Sequence, residues 1–212
     1  MTAEDTYKTI IEPSEGVYTE KRSKFIAIAL PVRTLDEIKM HLETYQKKYY
    51  DARHVCYAYM LGAARKDFRA NDNGEPSGTA GKPILGQINS NELTDILIIV
   101  VRYFGGIKLG AGGLIRAYSG SVAHAIEEIG RVEVKELTGL TVELTYSQYQ
   151  VFSNFLEKEG LQEFDTTFLS DVSTTLFVEE SDIERLGQEL TEFYQGKVNY
   201  EKSGKKIVEV PI

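Results

Sequence analysis

The chain from Val100 to Ser119 reads VVRYFGGIKLGAGGLIRAYS. At its start, the apolar run Ile96–Val101 predicts a fully buried strand. Five glycines then occupy nine positions, and they are Gly105, Gly106, Gly110, Gly112 and Gly113. Beyond them, apolar residues recur at helical spacing, at Ile115, Tyr118, Val122, Ile126 and Ile129. The stretch therefore predicts a strand, a loop of unusual backbone geometry and a helix.

This glycine loop predicts a site for an anion. Glycines let backbone N–H groups turn towards one point, and a helix N-terminus adds a partial positive charge. Arg102, Lys108 and Arg116 flank the loop. The alternative interpretation is that the glycines serve only a tight turn and close packing of helix on strand. Neither the P-loop pattern GxxxxGK[ST] nor the dinucleotide pattern GxGxxG is present, so the loop belongs to no standard phosphate-binding class.

A second unusual loop, Asn71–Pro83, reads NDNGEPSGTAGKP. It brings together charged and hydroxyl side chains that a simple turn does not need, namely Asp72, Glu75, Ser77, Thr79 and Lys82. The two acids suit acid–base chemistry or Mg²⁺ binding, whereas for Asp72 alone an Asx turn is the simpler interpretation. A serine hydrolase is disfavoured, because Glu75 stands where a nucleophile elbow needs glycine. We expect the two loops to converge on one polar, mildly cationic site.

The strand predicted at His54–Leu61 adds two residues to this region. His54 and Cys56 lie two positions apart and therefore share a face of the strand. One interpretation pairs them as a nucleophile and its base. The other, which we favour, is a buried structural cysteine beside a hydrogen-bonded histidine. His54 is counted with Asp72, Glu75, Ser77 and Thr79 as a polar residue of the same site.

Composition narrows the classes of function. The chain has 212 residues with one cysteine and three histidines, so no internal disulfide can form and no zinc-ligand spacing is present. We expect no metal and no cofactor. No apolar run approaches the roughly 18 residues of a membrane helix, and Met1–Asp5 is acidic where a signal peptide is basic. These features predict a cytoplasmic protein with no membrane partner.

The formal net charge of -8 is unevenly distributed. From Thr138 onward there are 6 basic and 14 acidic residues, which leaves 18 of each before it. An acidic domain repels phosphate backbones, so any nucleic-acid face is predicted on the first part, where a local patch of cations supplies the attraction.

The fold class predicted is α+β with two domains, 1–135 and 136–212. In the first, strands are expected at 7–11 and 17–30, and Thr34–Glu37 forms a capping box before a helix. The second follows the order βαββαβ of a ferredoxin-like domain, with helices capped at Ser147 and at the box Ser181–Glu184. Its last strands are expected at 198–200 and 206–210.

Three stretches together resemble the IMPACT family, including its bacterial YigZ-like members. They are Ala52–Tyr59, Asn71–Pro83 and Val100–Ser119. The resemblance implies an N-terminal α/β domain like the second domain of a small-subunit ribosomal protein. It also implies a C-terminal domain similar to the last domain of elongation factor G. One departure is that Asn73 replaces the second acid of the usual Asp-Asp-Gly-Glu-Pro, which weakens a paired-acid interpretation.

The resemblance also implies a connection with RNA, the ribosome and translation. Eukaryotic members are linked to translational control through the pathway that senses uncharged tRNA. That role depends partly on an extra N-terminal domain, which we expect this chain to lack, so competition with the kinase activator does not carry over. The family supplies no catalytic residues to transfer.

Three hypotheses follow. The first is a non-enzymatic binding module for RNA or a ribosome-associated factor, whose phosphates meet glycine-loop N–H groups and Arg102, Lys108, Arg116 and Lys82. In it, Tyr103 or Phe104 stacks on a base. The second is an enzyme acting on a nucleotide or another small phosphorylated ligand, with Glu75 or Asp72 as acid–base or metal-binding group. The third is an interaction protein whose loops only fold tightly.

Overall fold

The computed structural model describes residues 6–127 and 129–212. The predictions that concern Met1–Asp5 lie outside this part of the chain. Two compact units are present: one ends at Val134 and includes Glu209–Ile212, and the other spans Lys135–Val208. Within the described residues, no helix combines the length and the apolar character that crossing a membrane requires.

The first unit contains a five-stranded sheet and three helices among the residues described. In chain order its elements are β1 (Tyr7–Ile10), β2 (Ser14–Glu20), β3 (Ser23–Pro31), α1 (Leu35–Lys48), β4 (His54–Leu61), β5 (Asp67–Asn71), α2 (Gly81–Ser90), β6 (Ile96–Tyr103) and α3 (Gly110–Glu127). The sheet has the order β2-β3-β6-β4-β5, and each neighbouring pair is antiparallel. β1 instead pairs with Arg131–Val134.

Strand β6 is buried on both faces, as its continuous apolar sequence predicts. Because side chains alternate, Ile98 and Val100 pack in the core under α2 and α3, whereas Leu97 and Ile99 pack in the core under α1. The capping box at Thr34 is confirmed: its hydroxyl accepts the Glu37 N–H, and the Glu37 carboxylate accepts the Thr34 N–H.

The second unit has the predicted order βαββαβ, and the α+β fold class is confirmed. Its elements are β7 (Arg131–Leu144, whose first residues belong to the other unit), α4 (Tyr146–Tyr149), α5 (Phe152–Glu159), β8 (Glu163–Phe168), β9 (Val172–Val178), α6 (Ile183–Phe193) and β10 (Asn199–Pro211). The strand order is β10-β7-β9-β8. Phe152, Phe155 and Leu186 pack with the inward residues of β7 and β9 to form its core.

Three local predictions in this unit were wrong. Thr145, not Ser147, caps the first helix, because Thr145 and Gln148 exchange the two hydrogen bonds of a capping box. The box at Ser181 does not form, since a short 3-10 turn at Glu180–Asp182 precedes the helix and Asp182 caps it without a side-chain bond. The last strand is continuous from Asn199 to Pro211.

Candidate anion-binding site

Antiparallel pairing brings the two unusual loops to the same end of the sheet. β4 lies between β5 and β6, and its first residue, His54, pairs with Arg102 near the end of β6. The chain leaves β5 and β6 where β4 begins, so the loops after both strands emerge beside His54. Together they line one cavity of about 450 Å³.

The cavity is lined by both charged and apolar residues. Its lining consists of Arg53, His54, Glu75, Pro76, Arg102, Phe104, Lys108, Leu109, Gly110, Ala111 and Leu114. Three cations and one carboxylate give this lining a formal charge of +2 with His54 neutral. Because α3 begins at Gly110, the first turn of this helix also lies at the cavity and adds N–H groups and partial positive charge.

Arg102 and Glu75 form a buried ion pair in the cavity wall. Arg102 Nη1 donates to Glu75 Oε1 at 2.6 Å, and the two side chains are 7% and 3% exposed. The guanidinium carbon lies 5.5 Å from the centre of the Phe25 ring and 5.6 Å from that of Phe104. Within the described residues, Arg102 Nε is buried and has no hydrogen-bond partner. The guanidinium is thus held in place by Glu75, while its Nε–H donor is unpaired within that part of the chain.

Behind this pair, Tyr118 connects Glu75 to Cys56. The Tyr118 hydroxyl donates to Glu75 Oε1 at 2.9 Å and lies 3.3 Å from Cys56 Sγ, while the Cys56 thiol donates to the Asp72 carbonyl oxygen at 2.9 Å. Burial, followed by contact with Cys56 and Glu75, raises the pKa of Tyr118 well above its ordinary value. Burial raises the pKa of the Cys56 thiol to about 12. Since the thiolate is the nucleophile, these contacts favour a structural cysteine.

The Asp72 carboxylate occupies the start of α2, where an external anion would otherwise bind. Its carboxylate accepts N–H groups from Gly78 at 2.8 Å, Ala80 at 3.0 Å and Gly81 at 2.8 Å. Partial burial acts to raise the pKa of Asp72, but these three backbone donors outweigh it and the pKa lies below its ordinary value. The Asx-type interpretation therefore describes Asp72, and α2 has its helix start satisfied internally. Glu75 is engaged with Arg102, so the two acids do not act as a pair.

The five glycines of the first loop have different roles. An added Cβ at Gly105 would lie 2.1 Å from the carbonyl carbon of Arg22, so this glycine permits a close backbone approach. Gly106 and Gly110 have left-handed backbones, with φ of 86° and 72°. Gly112 and Gly113 lie in the first turn of α3. Of the five, Gly110 lines the cavity.

Several residues expected at the site lie outside the cavity lining. Lys82 is exposed and its chain lies over Gly78, and the exposed Arg116 is 3.7 Å from a carboxylate oxygen of Glu20. Ser77 is exposed, and Thr79 is buried with its hydroxyl donating to the Pro76 carbonyl oxygen at 2.6 Å. Of the four cations expected around one spot, Arg102 and Lys108 therefore line the cavity, whereas Lys82 and Arg116 do not.

The aromatic residues after β6 also differ from each other. Phe104 is 50% exposed and lines the cavity, whereas Tyr103 donates its hydroxyl to Asp51 at 2.8 Å. Sequence reasoning did not select Arg53. The signal that would have found it is the antiparallel register, since the residue before β4 must lie near the end of β6.

The chain is similar to known proteins over most of its length. Residues 21–126 match the model of the Impact N-terminal domain, and residues 142–197 match a domain of unknown function (DUF1949). The chain is 35% identical over 192 residues to the IMPACT family member YvyE of Bacillus subtilis, which covers 91% of this chain and 88% of that relative. It is 38% identical over 130 residues to the IMPACT family member YigZ of Escherichia coli, covering 60% of this chain and 64% of YigZ.

A solved structure described as that of a hypothetical protein aligns with a TM-score of 0.60 and 28% identity, covering 94% of this chain and 98% of that one. The chain therefore belongs to the IMPACT family.

Proposed function

We propose that this protein is a non-enzymatic module in the regulation of translation, acting in the cytoplasm, that binds phosphate groups of RNA at the cavity. The observation that carries this proposal is the convergence of Arg53, Lys108 and the first turn of α3 on one concavity with formal charge +2. Arg53 and Lys108 are exposed and can meet phosphate oxygens, while Arg102 is held in the wall by Glu75. Membership of a family linked to translational control supports the regulatory part of the proposal.

The state of the acidic and thiol groups supports binding over catalysis. Glu75 Oε1 already accepts two hydrogen bonds, and the Asp72 carboxylate accepts three. The raised pKa of Cys56 keeps its thiol protonated at neutral pH. The observation in favour of an enzyme is that Glu75 lines the cavity. An enzyme acting on a nucleotide would lose turnover in Glu75→Gln while still binding its substrate.

Fluorescence anisotropy of a labelled single-stranded RNA, repeated over a range of salt concentrations, tests the proposal. Each phosphate neutralised contributes about -0.7 to the slope of log affinity against log salt. With two contacts at the cavity, from Arg53 and Lys108, we expect a slope of about -1.4.

Lys108→Ala and Arg53→Ala should each weaken binding and reduce the slope by about 0.7. Lys82→Ala is the matched control, because Lys82 is an exposed lysine outside the cavity lining, and it should leave the slope unchanged. Binding that does not respond to salt, or equal losses in Lys108→Ala and Lys82→Ala, would contradict the proposal.

A further inference from the structure

The cavity contains more positive charge than a single phosphodiester of an RNA chain can neutralise. Three cations and one carboxylate leave +2, and the first turn of α3 adds to it. A phosphodiester carries one negative charge, whereas a phosphomonoester carries about -1.5 to -2 at pH 7. As a single group, a phosphomonoester therefore matches the charge of the lining better than a phosphodiester does.

The remainder of the lining suits a nucleoside. A cavity of about 450 Å³ is in the range of small-ligand sites, and its lining includes the apolar residues Pro76, Leu109, Leu114 and Phe104. The Phe104 ring is half-exposed, with the Arg102 guanidinium over it at 5.6 Å. The part of the ring that Arg102 leaves uncovered offers a surface on which a base stacks.

Arg102 contributes a charge to the cavity wall whose position is fixed before any ligand binds. Its side chain is more than nine-tenths buried in the cavity wall, yet within the described residues Nε has no hydrogen-bond partner. Leaving a buried donor unpaired is costly, so this nitrogen calls for a partner, such as a bound water or a ligand. Glu75 and the rings of Phe25 and Phe104 fix the guanidinium beforehand, which reduces the ordering needed when a ligand binds.

From these three observations we infer that the cavity binds a nucleoside carrying a terminal phosphomonoester, with the phosphate at Lys108, Arg53 and the start of α3 and the base on Phe104. This inference rests on the proposed function, because it uses the same cavity. A phosphorylated RNA end and a free nucleotide present this chemistry equally, and the experiment separates the two sources.

The first experiment compares single-stranded RNAs of one sequence that bear a 5′-phosphate, a 3′-phosphate or only hydroxyl ends. Competition by AMP, adenosine and inorganic phosphate is measured on the same protein. We expect one phosphorylated RNA to bind at least about tenfold more tightly than the hydroxyl RNA, the effect of one charge-assisted hydrogen bond. AMP should compete better than phosphate, and adenosine should not compete.

Variants then separate the two parts of the cavity. Lys108→Ala should weaken the binding of both AMP and inorganic phosphate about tenfold. Phe104→Leu should weaken the binding of AMP and leave the affinity for inorganic phosphate unchanged, because only the stacking surface is lost. Lys82→Ala should change neither, and circular dichroism confirms that each variant is folded.

The outcomes distinguish this inference from the proposed function. Salt-dependent RNA binding that is equal for all three ends would overturn the inference and leave the proposed function standing. AMP binding without RNA binding would support the inference with a free nucleotide as the source and would overturn the proposed function. Equal effects of Phe104→Leu on AMP and on phosphate would overturn the assignment of the base to Phe104.

Discussion

Replacing Glu75 by glutamine should destabilise the first unit, because the positive charge of Arg102 stays buried without the carboxylate that neutralises it. In the wild type, the Arg102 and Glu75 side chains are 7% and 3% exposed, and their atoms are 2.6 Å apart. Glutamine keeps an oxygen that accepts from Arg102 and Tyr118 but removes the negative charge, so a guanidinium remains buried without a counter-ion. Breaking a buried pair in this way costs about 3–5 kcal/mol, and we expect the lower end because an acceptor is retained.

Urea unfolding followed by far-UV circular dichroism measures this loss, since the chain has no tryptophan. With an m value of about 1–3 kcal/mol per M, a loss of 3 kcal/mol lowers the midpoint by roughly 1–3 M. Lys8→Ala is the control, because it removes a partner of Glu92 from an exposed ion pair. It should produce no measurable shift.

A double variant, Glu75→Gln with Arg102→Gln, tests the cause. No charge is left buried, so it should recover at least about 1 kcal/mol relative to Glu75→Gln alone. A single variant that loses less than about 1 kcal/mol, or a double variant less stable than Glu75→Gln, would refute the reasoning.

Three further predictions concern the surroundings of the site. Gly105→Ala should lower the free energy of unfolding by about 1–3 kcal/mol, because its Cβ would meet the Arg22 backbone. Gly86→Ala in α2, with open space around it, should raise the free energy of unfolding by about 0.5–1 kcal/mol in the same urea assay. Asp72→Asn should lower the free energy of unfolding by about 1 kcal/mol at pH 7. Because the folded-state pKa of Asp72 lies below its ordinary value, this difference should persist above about pH 4 and narrow as the pH falls further; a constant difference would contradict it. Cys56, with its thiol pKa raised to about 12, should react with a disulfide reagent at pH 8 only on unfolding, and rapid native reaction would contradict the assignment.

The elements that the sequence predicted well are those specified by local patterns. The apolar run Ile96–Val101 and the helical spacing after Gly113 required no distant partner, and the Thr34 capping box lies within four residues. The cap at Ser147 was wrong because Thr145 offers a competing box two residues earlier. When two neighbouring residues can both cap a helix, as Thr145 and Ser147 can, the packing around the helix decides which one does.

The contacts that define the site could not be read from such patterns. Glu75 and Arg102 are 27 residues apart, and nothing in either loop indicates that they neutralise each other. Asp72 looked like a candidate for an external cation, yet its carboxylate is used by three backbone donors at the start of α2. Arg53 reaches the cavity because β4 and β6 are antiparallel neighbours, which is a property of the sheet.

Titration of ¹⁵N-labelled protein with a 5′-phosphorylated RNA, followed by ¹H–¹⁵N NMR, tests most directly whether this cavity receives phosphate. We expect the largest amide shifts at Arg53, His54 and Lys108–Ala111, with the first turn of α3 among them. Shifts confined to Lys135–Val208, or none at saturating RNA, would contradict the account.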